Sequence, residues 1–331
     1  MASSISLWKR LRFRIEALGV RAMARIIPAL PRKGLLRLAR GLSFLAYRID
    51  GRGRGIAEEN LRIVFPDKDA SARAQLVKGS YYHQTKSALD LMWAPRNLTV
   101  SSSADLVKYT YEDRQDFEAI GEDAAIWVTP HYGTFEWLSM EWSLHNDKKP
   151  LIVAEDFRNP ALTPIFTEIR EYSGITIIPQ ERAMMRLLKH VKRGGQTAFL
   201  TDLRVKPSKA STIIECFGLK TSVTILHAFL AKQTGAPVIP VICLPQADGT
   251  YHFHFHRRLT IAEDATPQEI AQQCWDFFEH TICDNPAPWM WMYKQWRYLP
   301  KDSQVPYPSY ASHSKAFAKF ESEKENQAPQ V

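Results

Sequence analysis

The stretch AAIWVTPHYGTFE at residues 124–136 decides the fold of this 331-residue chain. Residues 124–129 form a compact apolar run of strand length, and the apolar spacing becomes helical over residues 135–144. His131 and Glu136 therefore lie where a strand ends and a helix begins. Open α/β sheets place their active sites at such points.

The same alternation continues along the chain. Further strands are predicted at residues 150–154, 176–178, 197–201, 237–244 and 251–260. Helices are predicted at residues 71–93, 162–173, 182–192, 222–234 and 268–283. Strands that alternate with helices predict an α/β fold with a mainly parallel central sheet flanked by helices.

The positive charge of the chain is concentrated near its N-terminus. Through residue 54 there are 13 Lys and Arg residues against two acidic ones, although the whole chain has a net charge of +8. Helical periodicity covers residues 11–30 and 35–49. In the second stretch, apolar residues lie opposite basic ones: Leu35, Leu38, Leu42 and Leu45 opposite Arg37, Arg40 and Arg48. These patterns predict basic amphipathic helices that dock on a lipid membrane surface. The alternatives are solvated helices that pack on the core, or attraction to nucleic acid, which we expect less than lipid.

The N-terminal region is expected to lie on a membrane without spanning it. Its best apolar stretch, residues 34–49, is interrupted by arginines and is shorter than the roughly 20 residues that spanning needs. A cleaved secretory signal is not expected either. A flexible glycine-rich break is predicted at residues 51–55. We therefore expect a docking region at 1–54, an α/β domain at 55–311 and a polar, disordered tail at 312–331.

The residue types at the strand–helix junction suit acid–base chemistry. The positive end of the helix dipole favours a neutral His131 ring and an ionised Glu136 carboxylate. Glu136 would then hold the ring in one tautomer, and His131 would act as a general base on a hydroxyl group. Gly133 would leave room for a substrate. Taken alone, a His followed by a Glu five residues later also occurs by chance at an ordinary helix start.

Five segments, in this order along the chain, resemble the bacterial lipid A biosynthesis acyltransferases, a branch of the glycerolipid acyltransferase superfamily. They are EENLRIVFP at 58–66, HYGTFE at 131–136, RNP at 158–160, APVIPV at 236–241 and WMWMYKQWR at 289–297. HYGTFE matches the His-x4-Asp/Glu block of the family. The resemblance implies transfer of a fatty acyl group from acyl carrier protein or coenzyme A to a hydroxyl of a lipid A precursor or related glycolipid. It identifies His131 and Glu136 as catalytic, with no metal or other cofactor.

Three further residues are predicted to bind substrate. Arg158 stands where the family has a basic residue that contacts donor or acceptor, and Arg204 could also bind phosphate. Asp202 stands where the family has an acidic residue, although the glycine expected beside it is missing, which puts the acceptor in question. The alternative for Arg158 is a surface ion pair with Asp156 or Glu155.

Two clusters have more than one interpretation. His252, His254 and His256 share one face of a predicted strand, and we interpret them as the exposed face of an edge strand rather than as a metal site. The aromatic residues of segment 289–297 fit a water–lipid boundary, stacking on single-stranded nucleic acid, or the core.

Many members of the family have an N-terminal helix that spans the membrane, and this N-terminus lacks a clear one. We therefore expect peripheral or monotopic attachment at the cytoplasmic face of the bacterial inner membrane. Two other functions stay open. One is acyl transfer to lysophosphatidic acid or another small lipid. The other is a non-catalytic, basic protein that binds membrane or nucleic acid.

Overall fold

The computed structural model describes residues 6–121 and 123–325. The helices are α1 Leu7–Ile26, α2 Arg32–Ile49, α3 Gly51–Val64, α4 Ala70–Asn97, α5 Ser103–Leu106, α6 Arg114–Ile120, α7 Glu136–His145, α8 Thr163–Glu171, α9 Ala183–Lys192, α10 Leu226–Thr234, α11 Pro267–Asp284 and α12 Lys315–Glu325. The strands are β1 Val107–Tyr111, β2 Ala125–Thr129, β3 Leu151–Ala154, β4 Thr176–Pro179, β5 Gln196–Leu200, β6 Ser211–Cys216, β7 Leu219–Thr224, β8 Val238–Pro245, β9 Tyr251–Phe255, β10 Tyr298–Leu299 and β11 Ser312–His313.

A seven-stranded sheet with the order β1-β9-β8-β2-β5-β3-β4 forms the centre of the fold. Strands β8, β2, β5, β3 and β4 run parallel to one another. Strand β9 is antiparallel to β8, and β1 is parallel to β9. The predicted α/β fold with a mainly parallel sheet flanked by helices is confirmed.

Strand β2 lies in the middle of this sheet, and all five of its residues are buried. Ile126 and Val128 belong to one apolar cluster, whereas Ala125 and Trp127 belong to another. Successive side chains of a strand point to opposite faces, so both faces of β2 are covered. A strand buried on both faces has an uninterrupted apolar sequence, which is why this one was predictable.

The N-terminal helices are attached to the rest of the fold. Leu35 and Ala39 of α2 are buried in the same apolar cluster as Trp93 of α4 and Trp127 of β2. Within residues 6–121 and 123–325, we find no helix with both the length and the apolar composition that crossing a bilayer requires.

The predicted flexible break at residues 51–55 is wrong, because these residues form the first turns of α3. Asp50 caps this helix by accepting a hydrogen bond from the Gly53 amide at 2.8 Å, and it also accepts one from the Tyr81 hydroxyl at 2.8 Å. A Cβ atom on Gly53 would lie 2.1 Å from the Asp50 carboxylate. The glycine is therefore needed for close packing at a helix start.

The predicted disorder of residues 312–331 differs from the structure over residues 312–325, which form β11 and α12. Phe317 is buried there and stacks on Tyr298 with 5.3 Å between ring centroids. The buried Phe317 ring and an ion pair of 2.9 Å between Glu321 and Lys220 of β7 hold this otherwise polar helix on the domain. Residues 326–331 lie outside the described part of the chain.

Other differences arise from strand pairing. Strand β9 is not the edge strand that was predicted, because β1 pairs along its outer side. The β6–β7 hairpin occupies the start of the helix predicted at residue 222, so α10 begins at Leu226.

Helix α4 ends later than predicted. It continues through Pro95 to Asn97, since a proline near the end of a helix disturbs few hydrogen bonds.

Candidate active site

A cavity of about 860 Å³ lies beside the His131 loop. His131 follows the carboxyl end of β2, and Asp202 follows the carboxyl end of β5, its parallel neighbour in the sheet. Parallel neighbours end at the same sheet edge, so the two residues meet although 71 positions separate them.

His131 and Asp202 form a hydrogen-bonded pair. The ring Nδ1 lies 2.7 Å from Asp202 Oδ1, and the backbone amide of His131 donates to Oδ2 at 2.8 Å. An ionised carboxylate only accepts hydrogen bonds, so we infer that Nδ1 carries the proton. Among the described residues, none forms a hydrogen bond with the other ring nitrogen, Nε2. Nε2 is therefore free to accept a proton at the cavity wall.

Asp202 is fully buried and remains ionised. Burial alone would raise its pKa, but the facing His131 and the hydrogen bonds from His131 and Trp289 together lower the pKa of this carboxyl below its ordinary value. The Trp289 indole donates to Asp202 Oδ2 at 2.8 Å. Three donors thus hold the carboxylate in place behind the imidazole.

The aromatic segment at residues 289–297 supports this carboxylate. Trp289, Trp291 and Trp296 are buried, which favours the core interpretation over a lipid boundary or nucleic-acid stacking. The Asn60 side chain donates to the carbonyl oxygens of Trp291 and Tyr293 at 2.8 and 2.9 Å. Asn60 of α3 therefore fixes the loop that carries the Asp202 donor.

Close packing is a reason for Gly133 that the sequence did not suggest, beside the substrate approach that we predicted for it. Its φ of +60° lies in the left-handed region. A Cβ atom at this position would lie 2.3 Å from the carbonyl oxygen of Cys243 in β8. Only glycine can bring the His131 loop this close to the neighbouring strand.

Glu136 has a different partner from the one predicted. It accepts a hydrogen bond from Arg170 Nε at 2.9 Å as part of a two-bond ion pair, and Arg170 comes from α8. Of the described residues, Asp202 is the carboxylate bonded to the His131 ring. Contrary to the prediction, Glu136 does not contact the imidazole, and the carboxylate that does so is Asp202. Both Glu136 and Arg170 line the same cavity as His131.

The two other predicted substrate residues lie in different settings. Arg204 lines the cavity, where its guanidinium donates to the Tyr298 hydroxyl at 3.2 Å and lies over the Tyr298 ring. Arg158 is exposed and is not among the residues that line the cavity. Its neighbour Asn159 is buried and donates to the Phe13 carbonyl of α1 at 2.9 Å. The structure thus brings Arg204 to the site and leaves Arg158 outside it.

The inner walls of the cavity are apolar. They are formed by residues of β2, β3, β5, α7 and their neighbours, among them Trp127, Leu138, Trp142, Ile152, Ala198 and Phe255. The charged residues of the lining are Glu136, Glu155, Arg170, Arg182 and Arg204, and His131 lines the cavity with them. Such a lining suits a ligand with a long apolar part and a polar reacting end.

His254 of β9 and His256, just after this strand, contact side chains of the β1 region. His254 Nδ1 lies 3.0 Å from the Thr110 hydroxyl, and His256 Nδ1 lies 3.3 Å from Glu112. Within the described ranges, no group of three or more metal-ligating side chains comes together.

A histidine–carboxylate pair at the ends of parallel strands, beside a cavity with apolar walls, suits acid–base chemistry on a partly apolar ligand. The chain belongs to the bacterial lipid A biosynthesis acyltransferase family, whose sequence model matches residues 8–298. The family resemblance stated from the sequence is therefore confirmed.

The chain is also similar to named relatives. It is 26% identical over 178 residues to phosphatidylinositol mannoside acyltransferase of Mycobacterium tuberculosis (strain ATCC 25618 / H37Rv), covering 52% of this chain and 54% of that protein. It is 27% identical over 175 residues to the protein of the same name from Mycolicibacterium smegmatis, covering 52% of this chain and 56% of that protein. The match thus spans about half the length of these relatives.

Proposed function

We propose that this protein transfers a fatty acyl group from a thioester to a hydroxyl of a glycolipid, with His131 as the general base. The observation that carries the proposal is the His131–Asp202 pair, whose histidine lines a mainly apolar cavity of about 860 Å³. The cavity offers a place for an acyl chain, and the ring offers a proton acceptor beside it.

The proposed reaction uses the tautomer of His131 in which Nδ1 carries the proton and Nε2 is free to accept one. Nε2 of His131 takes the proton of the acceptor hydroxyl while the hydroxyl oxygen attacks the thioester carbonyl carbon. The resulting imidazolium is stabilised by Asp202 through the Nδ1 hydrogen bond of 2.7 Å. When the tetrahedral intermediate collapses, the carbon–sulfur bond breaks and the imidazolium returns its proton to the leaving thiolate. Transfer is direct, and no acyl-enzyme is formed.

Arg170 and Arg204 also line the cavity and bring positive charge to it. Glu136 fixes Arg170 by a two-bond ion pair, so the guanidinium is held in one orientation. We propose that Arg170 and Arg204 bind an anionic group of the donor or acceptor. Both proposed donors, acyl carrier protein and coenzyme A thioesters, are anionic.

The acceptor is proposed to be a lipid A precursor or a related glycolipid. The family is named for lipid A biosynthesis, and the similar mycobacterial proteins are named for a mannosylated phosphoinositide, so both names favour a sugar-bearing lipid. This favours a glycolipid over lysophosphatidic acid as the acceptor.

We further propose peripheral or monotopic attachment at the cytoplasmic face of the bacterial inner membrane. The apolar residues of α1 that recur at helical spacing are exposed, namely Leu7, Leu11, Ile15, Leu18 and Ile26. Arginines flank this stripe at positions 10, 14, 21 and 25. An unpartnered apolar stripe with basic borders suits the headgroup region of an anionic bilayer.

The test is an acyl-transfer assay with labelled acyl-coenzyme A and acyl carrier protein thioesters. The acceptors are a lipid A precursor, a mannosylated phosphoinositide and lysophosphatidic acid. We expect a labelled glycolipid with the wild type and none with His131→Ala, whereas His280→Ala, which alters an exposed histidine of α11, keeps the activity. Product from lysophosphatidic acid alone would refute the glycolipid proposal, and equal activity of His131→Ala would refute the mechanism.

A further inference from the structure

A second cavity, of about 490 Å³, lies between α2, α4 and the turn after β8. Its lining includes Arg40 of α2, Lys78 and Lys86 of α4, residues 245–247 of the turn and Asn285 after α11. Among the described residues that line this cavity, none is acidic. Its charge is therefore positive, and the catalytic mechanism above makes no use of it.

The floor of this cavity carries a buried positive charge that the protein does not neutralise. The Lys86 side chain is 3% exposed and lies 3.7 Å from Asp90, which also pairs with Arg32. Of the described residues, Asp90 is the one carboxylate that pairs with either cation. Burial raises the pKa of Tyr251, which contacts both Lys86 and Asp90, so its hydroxyl stays neutral. Two cations against one anion leave an excess positive charge, which is costly in a buried setting.

The pKa values of Lys86 and of the neighbouring His83 are shifted in this cavity. Burial, opposed by Asp90 and reinforced by Arg32, lowers the pKa of Lys86 to about 8. Burial and the nearby Lys86 charge lower the pKa of His83 to about 4, so His83 is neutral near pH 7 and adds no charge of its own. An anion in the cavity would supply the missing negative charge.

The rim of the cavity is suited to a multiply charged oxyanion. Arg40 and Lys78 are exposed, stand on two different helices and line this cavity together with Lys86. A guanidinium and two ammonium groups together match the several acceptor oxygens of a phosphate group. A bulky acidic peptide would not reach the buried Lys86.

This cavity adjoins the active-site loop. The Tyr132 hydroxyl, one residue after His131, donates to the Asn285 carbonyl oxygen at 2.8 Å. Gly133 packs against Cys243 and Pro245, which leads into the turn that lines the cavity. The loop that carries His131 thus contacts Asn285 and Pro245, two residues that line this second cavity.

We propose that this cavity, lined by Arg40, Lys78 and Lys86, binds a phosphate group, carried either by an anionic phospholipid headgroup or by a soluble phosphate. The proposal does not rest on acyl transfer, and binding can be measured without any catalytic turnover.

The experiment compares two double variants of the full chain with equal loss of charge. Arg40→Gln/Lys78→Gln removes the rim of the cavity. The control, Arg37→Gln/Arg96→Gln, removes one exposed arginine from each of the same two helices away from it. All four positions are exposed, so both variants are expected to fold, which thermal unfolding verifies.

Each protein is titrated calorimetrically with sodium phosphate against sodium chloride of equal ionic strength. Each is also sedimented with phosphatidylglycerol vesicles and with phosphatidylcholine vesicles. We expect the rim variant to bind phosphate or phosphatidylglycerol at least about tenfold more weakly than the control variant, since it loses two charge-assisted contacts.

A difference with inorganic phosphate assigns the site to a free phosphate group, and a difference with phosphatidylglycerol vesicles alone assigns it to a lipid headgroup. Equal losses in the two variants would mean that only general positive charge acts, which overturns the proposal. Failure of the wild type to bind phosphate in either form overturns it as well.

Discussion

His131 Nδ1 lies 2.7 Å from Asp202 Oδ1, and this contact joins the ends of two adjacent parallel strands. The carboxylate is buried, ionised and held by three donors, so it presents a fixed negative charge behind the ring. The imidazole is consequently held in one tautomer and one orientation. The side chain that fixes the ring thus comes from outside the segment that contains the histidine.

Replacement of Asp202 by Asn is expected to abolish most of the activity while the fold is kept. An amide can donate to Nδ1 and so shift the ring proton to Nε2, which leaves no acceptor for the substrate hydroxyl. We expect kcat to fall by roughly a thousandfold or more, with little change in KM. Steady-state kinetics with the preferred acceptor measure both.

The matched control for this variant is Asp264→Asn, which alters an exposed carboxylate between β9 and α11. It is expected to retain wild-type kinetics. A wild-type kcat for Asp202→Asn, with an unchanged thermal unfolding temperature, would refute the role assigned to this carboxylate.

The Glu136–Arg170 pair is expected to stabilise the fold as a unit. Both side chains are mostly buried, so removal of one partner leaves a charge without compensation. We expect Glu136→Gln or Arg170→Met to cost roughly 2–3 kcal/mol of unfolding free energy, and the double variant to cost much less than the sum. Urea unfolding of the wild type, the two single variants and the double variant gives the coupling energy between the two residues.

The exposed pair Arg114–Glu118 of α6 provides the comparison, because it joins the same residue types four positions apart on a helix surface. A double-mutant cycle on this exposed pair should give a coupling energy of only about 0.3–0.5 kcal/mol. Equal couplings in the two cycles would contradict a structural role for Glu136.

Much of the sheet could be predicted from the sequence because its central strands are buried on both faces. The runs at β2 and β8 are almost wholly apolar and cannot be mistaken for loops. Strand β1 was missed because only Val107 of its five residues is fully buried. Its pairing with β9 is decided by tertiary contacts that no local pattern records.

The histidine of the site was predictable, and its partner was not. Glu136 is the carboxylate nearest to His131 in the motif, but it lies in the first turn of α7 and pairs with Arg170. Asp202 could be predicted to follow a strand, but the sequence does not say that β5 adjoins β2. Arg170 lies within an ordinary amphipathic helix, and no spacing distinguishes it. The order of strands, which is a tertiary property, decides which carboxylate meets the ring.

The size of the apolar cavity is expected to limit the length of the acyl chain. Ala198 of β5 lines the cavity, and replacement by Leu would fill part of the volume available to the chain end. Each methylene of the acyl chain that no longer fits in the cavity loses about 0.8 kcal/mol of favourable burial free energy. We expect Ala198→Leu to shift the preferred donor to a shorter chain, measured as the ratio of kcat/KM across a series of acyl thioesters.

The control Ala119→Leu adds the same atoms at an exposed position of α6. It should leave the chain-length preference unchanged. A uniform loss of activity on all chain lengths in Ala198→Leu would indicate general misfolding of the cavity and would contradict a role in length selection.

His227 of α10 is expected to make the fold sensitive to acid. It is fully buried, and neither of its ring nitrogens has a hydrogen-bond partner among the described residues. Burial lowers its pKa from 6.5 to about 4. In the unfolded chain the His227 ring binds a proton as the pH falls through 6.5, whereas in the folded protein the ring stays neutral until about pH 4. The free energy of unfolding therefore decreases between pH 6.5 and pH 4.

The loss due to His227 amounts to about 3 kcal/mol between pH 7 and pH 4. His83 acts in the same direction, because its pKa is also lowered to about 4. We therefore expect His227→Leu to remove about half of the loss that these two histidines cause, as measured by urea unfolding at several pH values. His280→Leu, at an exposed site, should follow the wild type, and an unchanged pH dependence in His227→Leu would refute the assignment.

The exposed stripe of α1 is expected to provide much of the attachment to membranes. Ile15 and Leu18 are 61% and 65% exposed, and neither is needed for packing against the domain. Burial of such a side chain in the bilayer interface is worth about 1.5–3 kcal/mol, so Ile15→Glu or Leu18→Glu should weaken binding to anionic vesicles by roughly tenfold or more.

Val305→Glu introduces the same charge at an exposed apolar residue far along the chain and serves as the control in vesicle sedimentation. Because the contact is apolar, the loss should persist at high salt, where the attraction of the basic residues to the lipid is screened. Equal weakening by Val305→Glu would show that added negative charge, and not the stripe on α1, governs the attachment.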